Sequence, residues 1–227
     1  MRLKSFSLEN FRNYKNLDFQ FPETGVVVFL GENAQGKTNL LEAIFILALT
    51  KSFNPILQKD TIKWEQEYSR VKGVIKSEQE GEKELEVFWG KQRKYPKTLK
   101  INSAKKKIAE YVGNFLVTLF TPQDLNLVFL SPQYRRRYID ILNAQIDRNY
   151  LEQLILYQEV LRNRNRLLAY IKGKEAKEDE LVYWDQKLVE YGSFVYFARR
   201  GSLKTINELI SKYYREISGE DLELKKR

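Results

Sequence analysis

Hydrophobic and polar residues alternate from the first positions of the chain. Phe6 and Leu8 fall on one side of a predicted strand, and Ser5 and Ser7 on the other. Asn10-Phe11-Arg12-Asn13-Tyr14 interrupts the pattern as a turn. Leu17, Phe19 and Phe21 resume it, which predicts a hairpin. The next two stretches change character. Val26-Val27-Val28-Phe29-Leu30 is a continuous apolar run and predicts a strand buried on both faces. Asn39 to Leu49 is apolar nearly all round and predicts a buried helix. Alternation returns over Val71–Lys76 and Glu84–Trp89, an antiparallel pair turning near Gly81, with a short strand at Leu99 and Ile101. Phe115–Phe120 reads as a further strand, ending in Thr121-Pro122-Gln123-Asp124-Leu125.

The second part of the chain follows a helical period. Ser131 and Pro132 form an N-cap and first helical residue. Leu154, Leu161 and Leu168 recur every seven residues, with Tyr150, Tyr157 and Ile171 on a second seam that Arg164 breaks. Leu181, Leu188 and Val195, with Trp184, Tyr191 and Ala198, repeat the spacing. The charged link Lys172–Glu180 joins the two helices, so the pattern predicts an antiparallel helical hairpin whose second arm runs to about Tyr214. Glu220–Leu224 predicts the start of a strand. The expected organisation is α/β over residues 1–145, an inserted helical hairpin lobe over 146–217, and the start of a further α/β portion over 218–227.

One stretch carries chemistry. Gly31-Glu32-Asn33-Ala34-Gln35-Gly36-Lys37-Thr38 fits Gly-x4-Gly-Lys-[Ser/Thr], and it lies between the predicted strand and the predicted helix. The glycines let backbone N–H groups approach phosphate oxygens. Lys37 can reach the β- and γ-phosphates, and the Thr38 hydroxyl can ligate Mg²⁺. The helix N-terminus adds its free N–H groups and its dipole. A nucleoside triphosphate with Mg²⁺ is the ligand this pattern suits.

Composition narrows the rest. The 227 residues include neither Cys nor His, which removes thiolate chemistry, disulfides and the usual general base. No apolar run reaches the roughly 18 residues of a membrane span, and the first residues lack a secretory pattern, so a cytoplasmic protein is expected. The formal net charge is +9, which favours a polyanion partner, nucleic acid first. Basic residues concentrate over Lys91–Lys107, where Lys105, Lys106 and Lys107 are consecutive, and at Arg135-Arg136-Arg137. These rank ahead of Arg162, Arg164 and Arg166 as DNA contacts. Consecutive helical arginines point about 100° apart, so one or two of the three would share a partner.

Leu8-Glu9-Asn10-Phe11-Arg12-Asn13-Tyr14 resembles the start of ABC-type ATPase heads of the SMC class. Gly31–Thr38 with Asn39-Leu40-Leu41-Glu42-Ala43-Ile44, Phe120–Leu125, Ser131-Pro132 with Arg135–Asp140, and Gln158–Leu168 resemble the bacterial RecF family of recombination mediators. The resemblance spans essentially the whole chain. It implies an ABC-type lobe with a mixed sheet. It also implies nucleotide contacts from Gly31, Glu32, Asn33, Ala34, Gln35, Gly36, Lys37, Thr38, Asn39 and Arg12, and metal contacts from Thr38 and Gln123. Further implications are an ATP-dependent homodimer, binding to double-stranded DNA beside single-stranded gaps, and work with RecR and RecO to load the RecA recombinase. Family members often carry Glu where this chain has Gln123, and Arg is common where it has Asn54.

A signature loop of the Leu-Ser-x-Gly-Gln type and an apolar strand ending in Asp-Glu are not found in residues 1–227. The chain therefore reads as the N-terminal portion of such a protein, with ATP binding and negligible turnover of its own, since hydrolysis needs charge stabilisation and an oriented water together. No catalytic residue is assigned. The alternatives are the ATPase head of another SMC-like DNA-processing or anti-phage protein, a small-molecule P-loop kinase, and a remnant that only binds DNA or a partner.

Overall fold

The computed structural model describes residues 1–54, 56–129 and 131–219. The chain divides into two compact units, residues 1–120 and residues 121 onward. In the first, β1 (Arg2–Phe11) and β2 (Tyr14–Gln20) form the expected hairpin. Helix α1 (Lys37–Leu49) follows the phosphate loop. Strands β3 (Tyr68–Ser77) and β4 (Gly81–Gly90) pair through the turn at Gly81, then β5 (Thr98–Ile101), β6 (Ala104–Lys105) and the short helix α2 (Ile108–Tyr111) complete the unit. The six strands form one antiparallel sheet in the order β2-β1-β3-β4-β5-β6.

Register explains which side chains meet. Leu17, Leu8, Val71, Val87 and Leu99 are cross-strand partners in one row, on the face that packs with α1. Phe6, Ile75, Leu85 and Trp89 join them in the core with Ala43, Ile46 and Leu47 of α1. Gly73 admits the helix: a Cβ there would lie 2.5 Å from the Leu47 side chain. The Tyr111 hydroxyl donates to the Leu47 carbonyl (2.9 Å), and burial pushes it well above the usual phenol range. The opposite face is polar. Its row runs Asp18, Ser7, Lys72, Glu86, Lys100, Lys105 across all six strands.

Two expectations are corrected. Residues 26–30 and 116–120 hold no regular secondary structure, and neither joins the sheet among the described residues. In each, alternate side chains are covered. Phe29 packs on Phe19 with ring centroids 5.6 Å apart, whereas Val26 and Leu30 are 88% exposed and Phe120 is 79% exposed. A continuous apolar run states that both faces can be buried, yet it does not say what buries them. Here this chain covers one face.

The second unit contains α3 (Asn126–Phe129), α4 (Pro132–Ile146), α5 (Arg148–Lys172) and α6 (Leu181–Ser218). Helices α5 and α6 form the expected hairpin around Tyr150, Leu154 and Val195, and α4 packs on both. Arg164, which breaks the apolar seam, bonds Asp185 across the hairpin at 2.5 Å. The seam opens toward the link, where Leu168 is exposed. The strand expected over Glu220–Leu224, and all of the segment 218–227 beyond Gly219, lie outside the described residues. Among the described residues no helix is long and apolar enough to cross a membrane.

Candidate nucleotide site

The phosphate loop enters α1 through Gly36, which takes a left-handed conformation (φ 102°) at the N-cap. No side chain caps this helix and no acid occupies its first turn, so its leading N–H groups face a site that favours an anion. The Lys37 ammonium donates to the Gly31 and Glu32 carbonyls, each at 2.7 Å. It is thereby held along the loop, where phosphate oxygens could replace the carbonyls. Gly31, Glu32, Asn33, Ala34, Gln35 and Thr38 are exposed. A triphosphate fits this arrangement, because the cation, the uncapped helix end and the exposed loop amides converge on one stretch of backbone. Thr38 presents its hydroxyl in the first turn of α1.

Beneath the loop lies a feature that sequence reasoning missed. Glu42 is fully buried on α1. Arg12 grips it with two bonds, Nε to Oε2 at 2.8 Å and Nη2 to Oε1 at 2.9 Å. Ser52 Oγ donates to Oε1 at 2.5 Å and Asn54 Nδ2 at 3.1 Å. Burial alone would push this carboxyl up, but the bonds from Arg12, Ser52 and Asn54 outweigh it and hold Glu42 below its usual range. Arg12, predicted beside the nucleotide, thus ties the β1–β2 turn to the phosphate-loop helix. Asn54, at a position where Arg is common in the resembling family, serves as a donor here. One signal was available: a lone acid inside an otherwise apolar helix needs buried partners.

The turn also reaches the loop directly. Asn13 Nδ2 donates to the Gln35 carbonyl at 3.1 Å, and Asn39 Nδ2 donates to Asn13 Oδ1 at 2.9 Å. Asn39, predicted to contact nucleotide, is in this structure a brace for Asn13.

The basic run divides by role. Lys100 bonds Glu86 at 2.8 Å, sharing it with Lys72 at 3.1 Å. Burial would raise Glu86, and the bonds from Lys100 and Lys72 bring it below its usual range. Lys97 donates to the Thr50 carbonyl and to Gln58 Oε1. Lys105, Lys106 and Lys107 are exposed at the β6–α2 junction. In the second unit Gln123 lies in the helical turn Pro122–Leu125. The Asp124 carboxylate accepts from the Thr121 N–H at 2.5 Å and its hydroxyl at 2.9 Å, so it serves the turn itself. Arg135, Arg136 and Arg137 are exposed at the start of α4, and Arg135 donates to the Leu127 carbonyl at 3.2 Å.

The AAA domain family model matches residues 5–218. The chain is 39% identical over 225 residues to the DNA replication and repair protein RecF of Caldanaerobacter subterraneus subsp. tengcongensis, covering 99% of this chain and 61% of that protein. It is also 39% identical to RecF of Enterococcus faecalis, over 96% of this chain and 57% of the relative. The structure matches RecF-ATP, a recombination mediator protein of the RecFOR pathway, with TM-score 0.88 and 37% identity over 99% of this chain and 62% of that one. Its RecF-ATPrS counterpart gives TM-score 0.89 and 38% identity, over 98% and 59%. The chain thus spans about three fifths of the length of these relatives.

Proposed function

The chain belongs to the AAA domain family, and we propose that it carries the nucleotide-binding part of a RecF-type DNA replication and repair protein. The observation that supports this most is the Gly31–Thr38 loop at the uncapped end of α1, with the Lys37 ammonium along it. Relatives with the RecF name align with nearly the whole chain, and a RecF-ATP structure shares its fold. In this reading ATP is held by the loop amides, Lys37 and the helix dipole. Mg²⁺ would be held by Thr38 and would supply charge neutralisation at the β- and γ-phosphates.

Nucleotide binding would act as a clamp and not as a source of product. The bound state would pair two heads and hold DNA where duplex meets single-stranded gap. RecR and RecO are the expected partners, and the RecFOR pathway named for the solved relatives is consistent with that. DNA would contact Arg135–Arg137 in part, and Lys105, Lys106 and Lys107. Hydrolysis by residues 1–227 alone would be negligible, because an apolar strand ending in Asp-Glu and a signature loop are not among them.

Titration of a fluorescent ATP analogue with Mg²⁺, with and without duplex DNA, tests the reading. Saturable binding that duplex DNA strengthens supports it. Nucleotide binding indifferent to DNA argues against the clamp. Sustained hydrolysis that Lys37→Ala abolishes would contradict the expected lack of turnover.

A further inference from the structure

We propose that Asn13 is a positioning residue for nucleotide binding, a strut that fixes the peptide between Gln35 and Gly36 in the orientation a triphosphate needs. The inference rests on the reading of Gly31–Thr38 as a triphosphate site. Asn13 lies on the β1–β2 turn, outside the loop, and its carboxamide uses both ends on the loop region. Nδ2 holds the Gln35 carbonyl at 3.1 Å, and Oδ1 accepts from Asn39 Nδ2 at 2.9 Å.

A trans peptide points its C=O and N–H in opposite directions. Tying the Gln35 carbonyl to Asn13 therefore turns the Gly36 N–H away from Asn13. A flipped peptide would offer a carbonyl where a phosphate oxygen expects a donor. Gly36 fits the strut: a Cβ there would lie 2.6 Å from Asn13 Nδ2 and 2.7 Å from Oδ1, so the carboxamide lies flat against its backbone.

A strut works only if its base is fixed. Asn10 and Arg12 hold left-handed conformations (φ 54° and 53°), uncommon for residues other than glycine. The conformation is locked from outside the turn. Arg12 N donates to the Thr61 carbonyl at 2.7 Å, and Lys63 N to the Asn10 carbonyl at 2.9 Å. Lys63 Nζ donates to the Asn13 carbonyl at 2.8 Å, and Arg12 grips Glu42. The turn is thus anchored to the segment 61–63 and to α1 before any ligand arrives, which makes its pull on Gln35 a preorganising one. Asn13 itself is exposed, so its truncation leaves the core intact.

The test compares Asn13→Ala, Asn13→Asp, Asn39→Ala and the Ala double variant by Mg²⁺–ATP titration, thermal unfolding without ligand, and amide NMR of Gly36 without ligand. Removing the strut should weaken ATP about three- to tenfold while leaving the unfolding midpoint in place. Asn13→Asp should weaken it further, since a carboxylate faces the Gln35 carbonyl. Asn39→Ala should give a smaller loss, and the double variant should bind no worse than Asn13→Ala, because both changes break one unit. A shifted or faster-exchanging Gly36 amide supports the strut without reference to ATP. Wild-type affinity in Asn13→Ala, or affinity loss that only tracks a lowered unfolding midpoint, overturns the proposal. If the wild-type chain binds no triphosphate, the reading of the site fails, and an unchanged Gly36 amide in the variants would overturn the strut separately. Should Asn13→Ala not fold, Asn39→Ala carries the same comparison.

Discussion

Glu42 in the first unit and Asp140 in the second are each gripped by an arginine through Nε and Nη2, at 2.8 and 2.9 Å from Arg12 and at 2.7 and 2.8 Å from Arg199. Each also accepts a hydroxyl at 2.5 Å, from Ser52 in one case and Tyr150 in the other. Burial and the bond to Asp140 push the Tyr150 hydroxyl well above its usual range. The chemistry is nearly the same and the settings differ. The Asp140 pair joins α4 to α6, with Asn143 and Ser202 bonded at 2.6 Å between the same two helices. The Glu42 pair joins the phosphate-loop helix to the turn that carries Asn13. A buried ion pair is weak evidence for stability in itself, and its role depends on what its two elements do. One pair ties two helices of a bundle, and the other anchors the turn whose Asn13 bonds the Gln35 carbonyl.

The sharpest way to break this contrast is to truncate both acids. Glu42→Ala and Asp140→Ala each strand a largely buried arginine and should each cost about 3 kcal/mol of stability, read by denaturant unfolding. Only Glu42→Ala should weaken nucleotide beyond what the unfolded fraction explains. Equal effects on binding would erase the distinction.

A second effect comes from pH. The Glu42 carboxyl is lowered in the fold, so its contribution is present in full above the unfolded carboxylate value near 4.5 and is lost as pH falls through the lower folded value. Stability should decline over that acid window, and Glu42→Gln should flatten part of the decline. Glu86 titrates in the same sense, so the remaining slope should shrink when Glu86→Gln is added.

The legibility of the sequence follows the same division between pattern and partner. The strands β1 to β5 were readable because alternation is local, and α1 because its apolar residues surround it. The hairpin of α5 and α6 was readable from its seven-residue spacing. Glu42 was visible as a residue, but its partners lie 30 positions before it and 10 and 12 after it, and no local rule links them. Val26–Leu30 shows the reverse failure. Its pattern predicts a strand buried on both faces, whereas among the described residues it joins no sheet and one face is exposed, because sheet membership depends on a neighbour that periodicity cannot name. The basic run had the same limit: spacing could not tell Lys97 and Lys100, engaged inside the unit, from Lys105–Lys107 on its surface.

That last distinction yields a smaller effect. Replacing Lys105, Lys106 and Lys107 by Ala should lower the dependence of log affinity on log salt for duplex DNA by up to about 3, at roughly 0.9 per phosphate contact. Lys100→Ala should cost stability through Glu86 and leave the slope nearly unchanged. The smallest effect is expected at the exposed pair Arg148–Glu152, 3.0 Å apart along α5. Arg148→Ala should change stability by about 0.5 kcal/mol or less, which calibrates the cost of Asp140→Ala in the same unit.

The central claim is that the loop at the head of α1 is a preformed triphosphate site. Its most direct test is Mg²⁺–ATP titration of the folded chain beside Lys37→Ala, with the unfolding midpoint of each measured in the same buffer. Binding that falls at least about a hundredfold in Lys37→Ala, at an unchanged midpoint, is the predicted result. A folded chain that binds ATP equally well with and without the Lys37 ammonium would contradict it.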